Sequence, residues 1–218
     1  ILYLLFINVT FDCSTLSPIL MPTTFILLAF GTLIRQMQRE GVTDEVFELG
    51  FYLSVATLFY LPMGLFYLWA FASMLLYTGA NFRHHTLAFF GYIFPIALTV
   101  MFFFFRNALD DFSQNLLTSA FRTRRYNLND FLGVIGTMAG IFIVGGLGFA
   151  QTFGYPRFIN YQSRCQQIMM LWVIIAFISI GLMPFIAPMQ FIIFIPPLAF
   201  FSVNFFMLMQ RRWLAEVL

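Results

Sequence analysis

Three arginines fall within four residues at Arg122, Arg124 and Arg125, in the run FRTRRY. A guanidinium is a planar fork of donors that matches a phosphate bidentately, so this cluster is suited to holding a phosphate or pyrophosphate. Asp110, Asp111 and Asp130 lie in the same polar stretch, Arg106 to Asp130, which carries seven charged residues. A carboxylate beside a bound phosphate is the minimum for a general base acting on a lipid-phosphate substrate. Asp12 joins these catalytic candidates, because the topology argued below puts it on the same side. The plainer reading of the same residues stays open. Exposed acids that only pair with neighbouring arginines contribute little, and arginines at headgroup depth can simply anchor a helix. No motif fixes a reaction, and none calls for a cofactor or a metal.

What must position these residues follows from composition. Apolar residues make up 61% of the 218 and charged ones 9%, against roughly 25% charged in a soluble domain. So few charges cannot cover a soluble protein of this size, and the chain reads as an all-α, polytopic membrane protein. The net charge of +2 is dispersed rather than massed in one patch and so points to no nucleic-acid partner. All eleven basic residues are arginine.

A span needs about 20 apolar residues. That rule places spans near 1–11, 17–37, 46–61, 62–78, 86–105, 131–152, 166–186 and 189–209, seven to eight in one transmembrane domain, 1–218. Residues 46–78 read either as two spans or as a re-entrant hairpin around Pro62. The chain opens inside the apolar run ILYLLFINVTF and closes on RRWLAEVL, which reads as the start of another helix, so it reads as part of a longer polypeptide.

Arginines set the orientation. One side collects Arg35, Arg39, Arg83, Arg157, Arg164, Arg211 and Arg212, while the short loops DCSTLS, LPMG and FIAPMQ of the other carry no basic residue. The first side is therefore expected to be cytoplasmic, with the arginine cluster outside. Cys13 and Cys165 then fall on opposite faces and cannot pair. The sequon at Asn8 lies in an apolar run, where glycosylation is not expected.

Within the polar stretch, Leu109, Phe112, Leu116 and Ala120 recur at helical spacing, opposite Asp111, Gln114, Asn115 and Thr118. This spacing predicts an amphipathic interfacial helix in the loop 107–130. Gly136 and Gly140 form a GxxxG, a row that lets helices approach closely, and they are expected to pack against a neighbour. Prolines within spans, such as Pro95, should face protein or a wet cavity, because lipid cannot satisfy the carbonyls they free. Adjacent His84 and His85 do not share a helix face and suggest no metal site. Glu40, Asp44, Glu45 and Glu48 are expected to pair with Arg35 and Arg39. No charge lies deep within a span, which disfavours ion-coupled transport.

The runs LYLLFINVTFDCSTLSPILMPTTFILLAFGTLIRQ, ELGFYLSVATLFYLPMGLFYLWAFASMLLY and HTLAFFGYIFPIAL, with the closing PMQFIIFIPPLAFFSVNFF, resemble an uncharacterised family of Bacteroidota polytopic inner-membrane proteins. The landmarks are Phe59, Tyr60, Pro197, Leu198, Asn204 and Trp213. More distantly, the rhythm is similar to the GT-C class of membrane glycosyltransferases, which use polyprenyl-phosphate sugars at the outer face. Asp12, Pro18 and the LFYLPMG turn occupy comparable places. The acidic residue of the first outer loop, on which that class depends, would lie before residue 1. The resemblance implies a bacterial inner-membrane location and a polyprenyl-phosphate or other lipid-phosphate ligand. A non-catalytic subunit of a larger envelope complex, with membrane-protein partners, is the competing expectation.

Overall fold

The computed structural model describes residues 2–10, 19–38, 43–78, 82–121, 128–154, 160–182 and 188–208. Among them every regular element is helical. The α-helices are α1 (Leu2–Thr10), α2 (Leu20–Gln38), α3 (Thr43–Phe59), α4 (Phe66–Ser73), α5 (Phe82–Phe105), α6 (Leu109–Phe121), α7 (Leu128–Gly154), α8 (Asn160–Gly181) and α9 (Ile195–Leu208). Two tight 3-10 segments, Leu61–Leu65 and Pro188–Phe194, lead into α4 and α9, and a wide π turn, Met74–Thr78, ends α4. Three helical stretches are long and apolar enough to cross a membrane: Leu20–Met37, Phe82–Phe105 and Tyr161–Gly181. Leu61–Leu76, Met138–Ala150 and Met189–Val203 are apolar but shorter. Fewer described helices therefore meet the requirement than the seven to eight spans that hydropathy suggests. One reason is visible in α3, whose first turns spend Asp44, Glu45 and Glu48 of its 17 residues on charge.

The chain packs as two compact units. One holds Leu16–Arg124 with Ile174–Ile186; the other holds Ile1–Thr15, Arg125–Val173 and Ala187–Leu218. In the first unit α3 is the central helix, against α2 and α5. Its buried residues Val46, Leu49, Leu53 and Ala56 recur every three or four positions and form one stripe. Ile26, Ala29 and Leu33 of α2 answer with the same rhythm, and Phe66 and Trp69 of α4 complete the core. Threonines enter these apolar faces because each hydroxyl donates back into its own helix, Thr23 to the Leu20 carbonyl at 2.7 Å and Thr32 to that of Ala29 at 2.8 Å.

α3 and α5 touch backbone to backbone. A Cβ added at Gly50 would overlap the Ala88 carbonyl and sit 2.8 Å from the Tyr92 nitrogen. One added at Gly91 would overlap the Phe47 carbonyl and sit 3.2 Å from the Phe47 Cα. The close approach expected at Gly136 and Gly140 is thus found elsewhere. Both of those glycines are exposed on α7, and nothing described lies within 4 Å of a Cβ built there. Pro95 is buried within α5, as the absence of a backbone donor demands. Pro196 and Pro197 fall in the first turn of α9, where a missing N–H breaks no intrahelical bond.

In the second unit α7 packs on α9, with Leu198 against the bare face of Gly145. Trp172 of α8 is fully buried and its indole donates to the Ile193 carbonyl at 3.0 Å. That bond satisfies a carbonyl of the tight Pro188–Phe194 segment, which has no regular helical partner for it.

Cys165, expected at the inner end of its span, is only 6% exposed, so it is a poor topology reporter. Gln162, nearly one turn earlier on α8, is exposed. In a Cys165→Ala background, a Gln162→Cys thiol should react with an impermeant maleimide only after permeabilisation, and Cys13 should react in intact cells. The opposite pattern inverts the orientation read from the arginines.

Candidate functional site

The polar stretch begins with a sharp corner at the end of α5. Asn107 adopts φ 51, the left-handed conformation. Its N–H donates to the Phe104 carbonyl at 3.0 Å and the Ala108 N–H reaches back to that of Phe103 at 3.1 Å. This is the Schellman arrangement, which closes the last carbonyls of a helix, and asparagine is one of the few residues that tolerate its left-handed position. Arg106 lies over the Phe102 ring, 4.7 Å from its centroid. Phe103 stacks on Phe112 across the corner with centroids 4.4 Å apart. The helix that follows, α6, packs against the Leu61–Leu65 turn and against α5.

α6 is amphipathic, as the spacing predicts. Leu109, Phe112 and Leu116 are half-buried, whereas Asp110, Asp111, Gln114, Asn115 and Thr118 are exposed. Asp110 and Asp111 occupy its first turn, where the helix dipole favours negative charge. Of the predicted interfacial segment 107–130, the described part is α6, and Leu128–Asp130 belong to α7. Arg122, Arg124, Arg125 and Asp12 lie outside the described residues. Asp130 lies in the first turn of α7. Of the sequence-derived candidates, the described structure therefore brings only Asp110 and Asp111 together, on one exposed turn.

A second polar locus was not foreseen. The N-terminal parts of α3 and α5 frame a cavity of about 720 Å³. Asp44 and Glu48, one turn apart on α3, line one wall; Arg83 and Thr86 of α5 line the other. Phe47, Leu87 and Phe90 supply the apolar surface between them. The expected pairing of the α3 acids with Arg35 is present once, as Arg35–Glu48 at 3.7 Å with both side chains about half exposed. Glu45 departs from that expectation. It is 8% exposed, and its Oε2 has no hydrogen-bond partner. The Thr86 hydroxyl donates to the Phe82 carbonyl at 3.0 Å, so its proton is committed and only its lone pairs face outward.

Deeper along the same helices, a void of about 10 Å³ lies beside His85, Tyr67, Phe71 and Ala88. That is about the volume of one water centre. His85 stacks near Phe71 with centroids 4.7 Å apart, and neither of its nitrogens has a partner. Tyr92 and Thr57 share a hydrogen bond of 3.1 Å nearby on the same two helices. Among the described residues, no group of three or more His, Cys, Asp or Glu could hold a metal ion.

The α3–α5 cavity escapes sequence reading because Asp44 and Arg83 lie 39 positions apart. Only the glycine contact that presses the two helices together brings them to one site. Its local signal was Gly50 and Gly91, each a lone glycine in an otherwise bulky helix. Comparison of the chain with protein-family models, with curated proteins and with solved structures gives no match.

Proposed function

We propose that this chain is a multi-pass protein of a bacterial inner membrane, with seven to eight spans on a GT-C-like scaffold. In this reading it handles a lipid-linked phosphate or sugar at the outer face. Arg122, Arg124 and Arg125 hold the phosphate, and Asp110, Asp111, Asp130 or Asp12 supplies a carboxylate. The observation that carries this reading is the corner between α5 and α6. A helix long enough to cross the bilayer ends in a Schellman turn and hands over to a short amphipathic helix. Its exposed first-turn acids precede the three arginines by 11 to 15 residues in the sequence. That arrangement keeps polar chemistry at headgroup depth beside an apolar span, which is where a polyprenyl phosphate presents its charge.

The test is a triple Arg→Lys change at Arg122, Arg124 and Arg125. Lysine keeps the charge and loses the planar fork. A phosphate clamp should then bind a short-chain polyprenyl-phosphate analogue about tenfold more weakly, the worth of one or two lost charge-assisted bonds. Equal binding by the lysine variant reduces the cluster to an anchor. A specific observation favours a second reading in that case. Gly136 and Gly140 leave a bare, exposed strip on α7, suited to the close approach of a partner helix in a non-catalytic membrane subunit.

A further inference from the structure

The cavity between α3 and α5 holds opposite charges that do not meet. Asp44 and Arg83 line the same space, yet among the described residues neither forms an ion pair. The backbone contact at Gly50 and Gly91 fixes the two helices, so the walls carrying these charges cannot close freely. A protein that needed only internal neutralisation would let them pair. Charges held apart across a cavity suit a ligand that carries both signs itself.

Depth and lining narrow the ligand. From Leu87 to Phe105, α5 rises about 28 Å at ~1.5 Å per residue, which matches the roughly 30 Å hydrocarbon core. When α5 crosses the bilayer, Arg83 and Asp44 stand in one headgroup layer and the α5–α6 corner in the other. The cavity's apolar side runs onto the lipid-facing flank of α5. Phe90 is 60% exposed and Phe94 49% exposed, and Phe94 lies beside Phe47 with ring centroids 6.1 Å apart. A volume of about 720 Å³ holds a headgroup and glycerol but leaves acyl chains outside, on that aromatic track.

We infer that this cavity binds a phospholipid with a primary-amine zwitterionic headgroup, of the phosphatidylethanolamine class. Arg83 takes the phosphate through its donor fork. Asp44 and Glu48 accept from the ammonium, and the Thr86 oxygen, whose own proton is committed to Phe82, adds a further acceptor. The acyl chains lie along Phe90 and Phe94. This site is at the opposite end of α5 from the α5–α6 corner and does not depend on what Arg122, Arg124 and Arg125 bind.

The test uses the protein purified in detergent and stripped of lipid, with calorimetric titration of short-chain ligands. Dihexanoyl-phosphatidylethanolamine should bind about tenfold more tightly than dihexanoyl-phosphatidylglycerol, since the latter offers no ammonium to the acids. N-acetylation of the ethanolamine should cause the same loss. Glycerophosphoethanolamine, which has no chains, should bind about tenfold more weakly than the lipid, for want of the apolar wall. Asp44→Asn should erase most of the preference for the amine, while Arg83→Gln should weaken both phospholipids. Equal affinity for the two phospholipids overturns the proposal. So does a chain-free headgroup that binds as well as the lipid, or an amine preference that Asp44→Asn leaves intact. If a variant does not fold, the N-acetyl comparison on the unaltered protein decides.

Discussion

Gly50→Leu and Gly91→Leu should each lower thermal stability in detergent sharply, whereas Gly136→Leu and Gly140→Leu should leave it nearly unchanged. The difference lies in what a new side chain meets. At Gly50 and Gly91 even a Cβ would collide with carbonyl groups of the facing helix, and backbone cannot rotate aside as a flexible side chain can. α3 and α5 would have to move apart, at a cost of about 1–3 kcal/mol or more for overpacking. In lipid the loss is not softened by a hydrophobic drive, because helix association there rests on close contact itself. At Gly136 and Gly140 the space is open among the described residues. Melting followed by size-exclusion chromatography after heating checks all four. If leucine at Gly136 costs as much as leucine at Gly50, that strip of α7 is covered and its packing has been misread. The same shift of α3 should empty the lipid cavity, so Gly50→Leu should also abolish the preference for ethanolamine lipids.

Trp172→Ala should be the most damaging single truncation in the second unit, at about 3–5 kcal/mol for a fully buried large aromatic. Trp172 is 0% exposed, so its removal leaves a cavity that no described neighbour fills. Trp172→Phe separates the two contributions. It retains most of the ring volume and removes only the indole donor, leaving the Ile193 carbonyl unpaired in an apolar setting. That alone should cost about 1–3 kcal/mol. Hydrogen exchange of residues 188–195 should speed up in both variants. A Trp172→Phe protein indistinguishable from the parent would mean that the Ile193 carbonyl has found another donor.

Much of the architecture was legible because lipid solvation writes long apolar runs. The predicted spans 17–37 and 86–105 correspond within a few residues to α2 and α5, which are long enough to cross a membrane, while 62–78 and 189–209 fall on the shorter apolar stretches Leu61–Leu76 and Met189–Val203. Pro62 marked a true break in winding, where an extended Tyr60 leads into the 3-10 segment Leu61–Leu65, and the Leu109–Leu116 spacing located α6. What failed was pairing. GxxxG draws attention because it is local, but glycines matter where two helices meet, and Gly50 and Gly91 lie on different helices. Charges were legible in part. The acids near the start of α3 were expected to pair with Arg35 and Arg39, and Glu48 does pair with Arg35, whereas the fold buries Glu45 and sets Asp44 on a cavity wall. The tight and wide turns at either end of α4 left no hydropathy signal, since winding changes neither composition nor length of an apolar run.

The left-handed turn at Asn107 has a bearing on how this sequence can drift over generations. An L-residue with a Cβ is penalised there by about 1–2 kcal/mol, and glycine, asparagine and aspartate are the types that escape most of it. Position 107 should therefore vary little among descendants of this chain. Phe102 carries the Arg106 guanidinium over its ring, whereas Phe104 and Phe105, just before the turn, are exposed and need only be large and apolar. They should interchange freely with leucine, isoleucine and methionine. The conspicuous aromatic run is then the part most open to change, and the single inconspicuous amide beside it is the part that holds the corner in place.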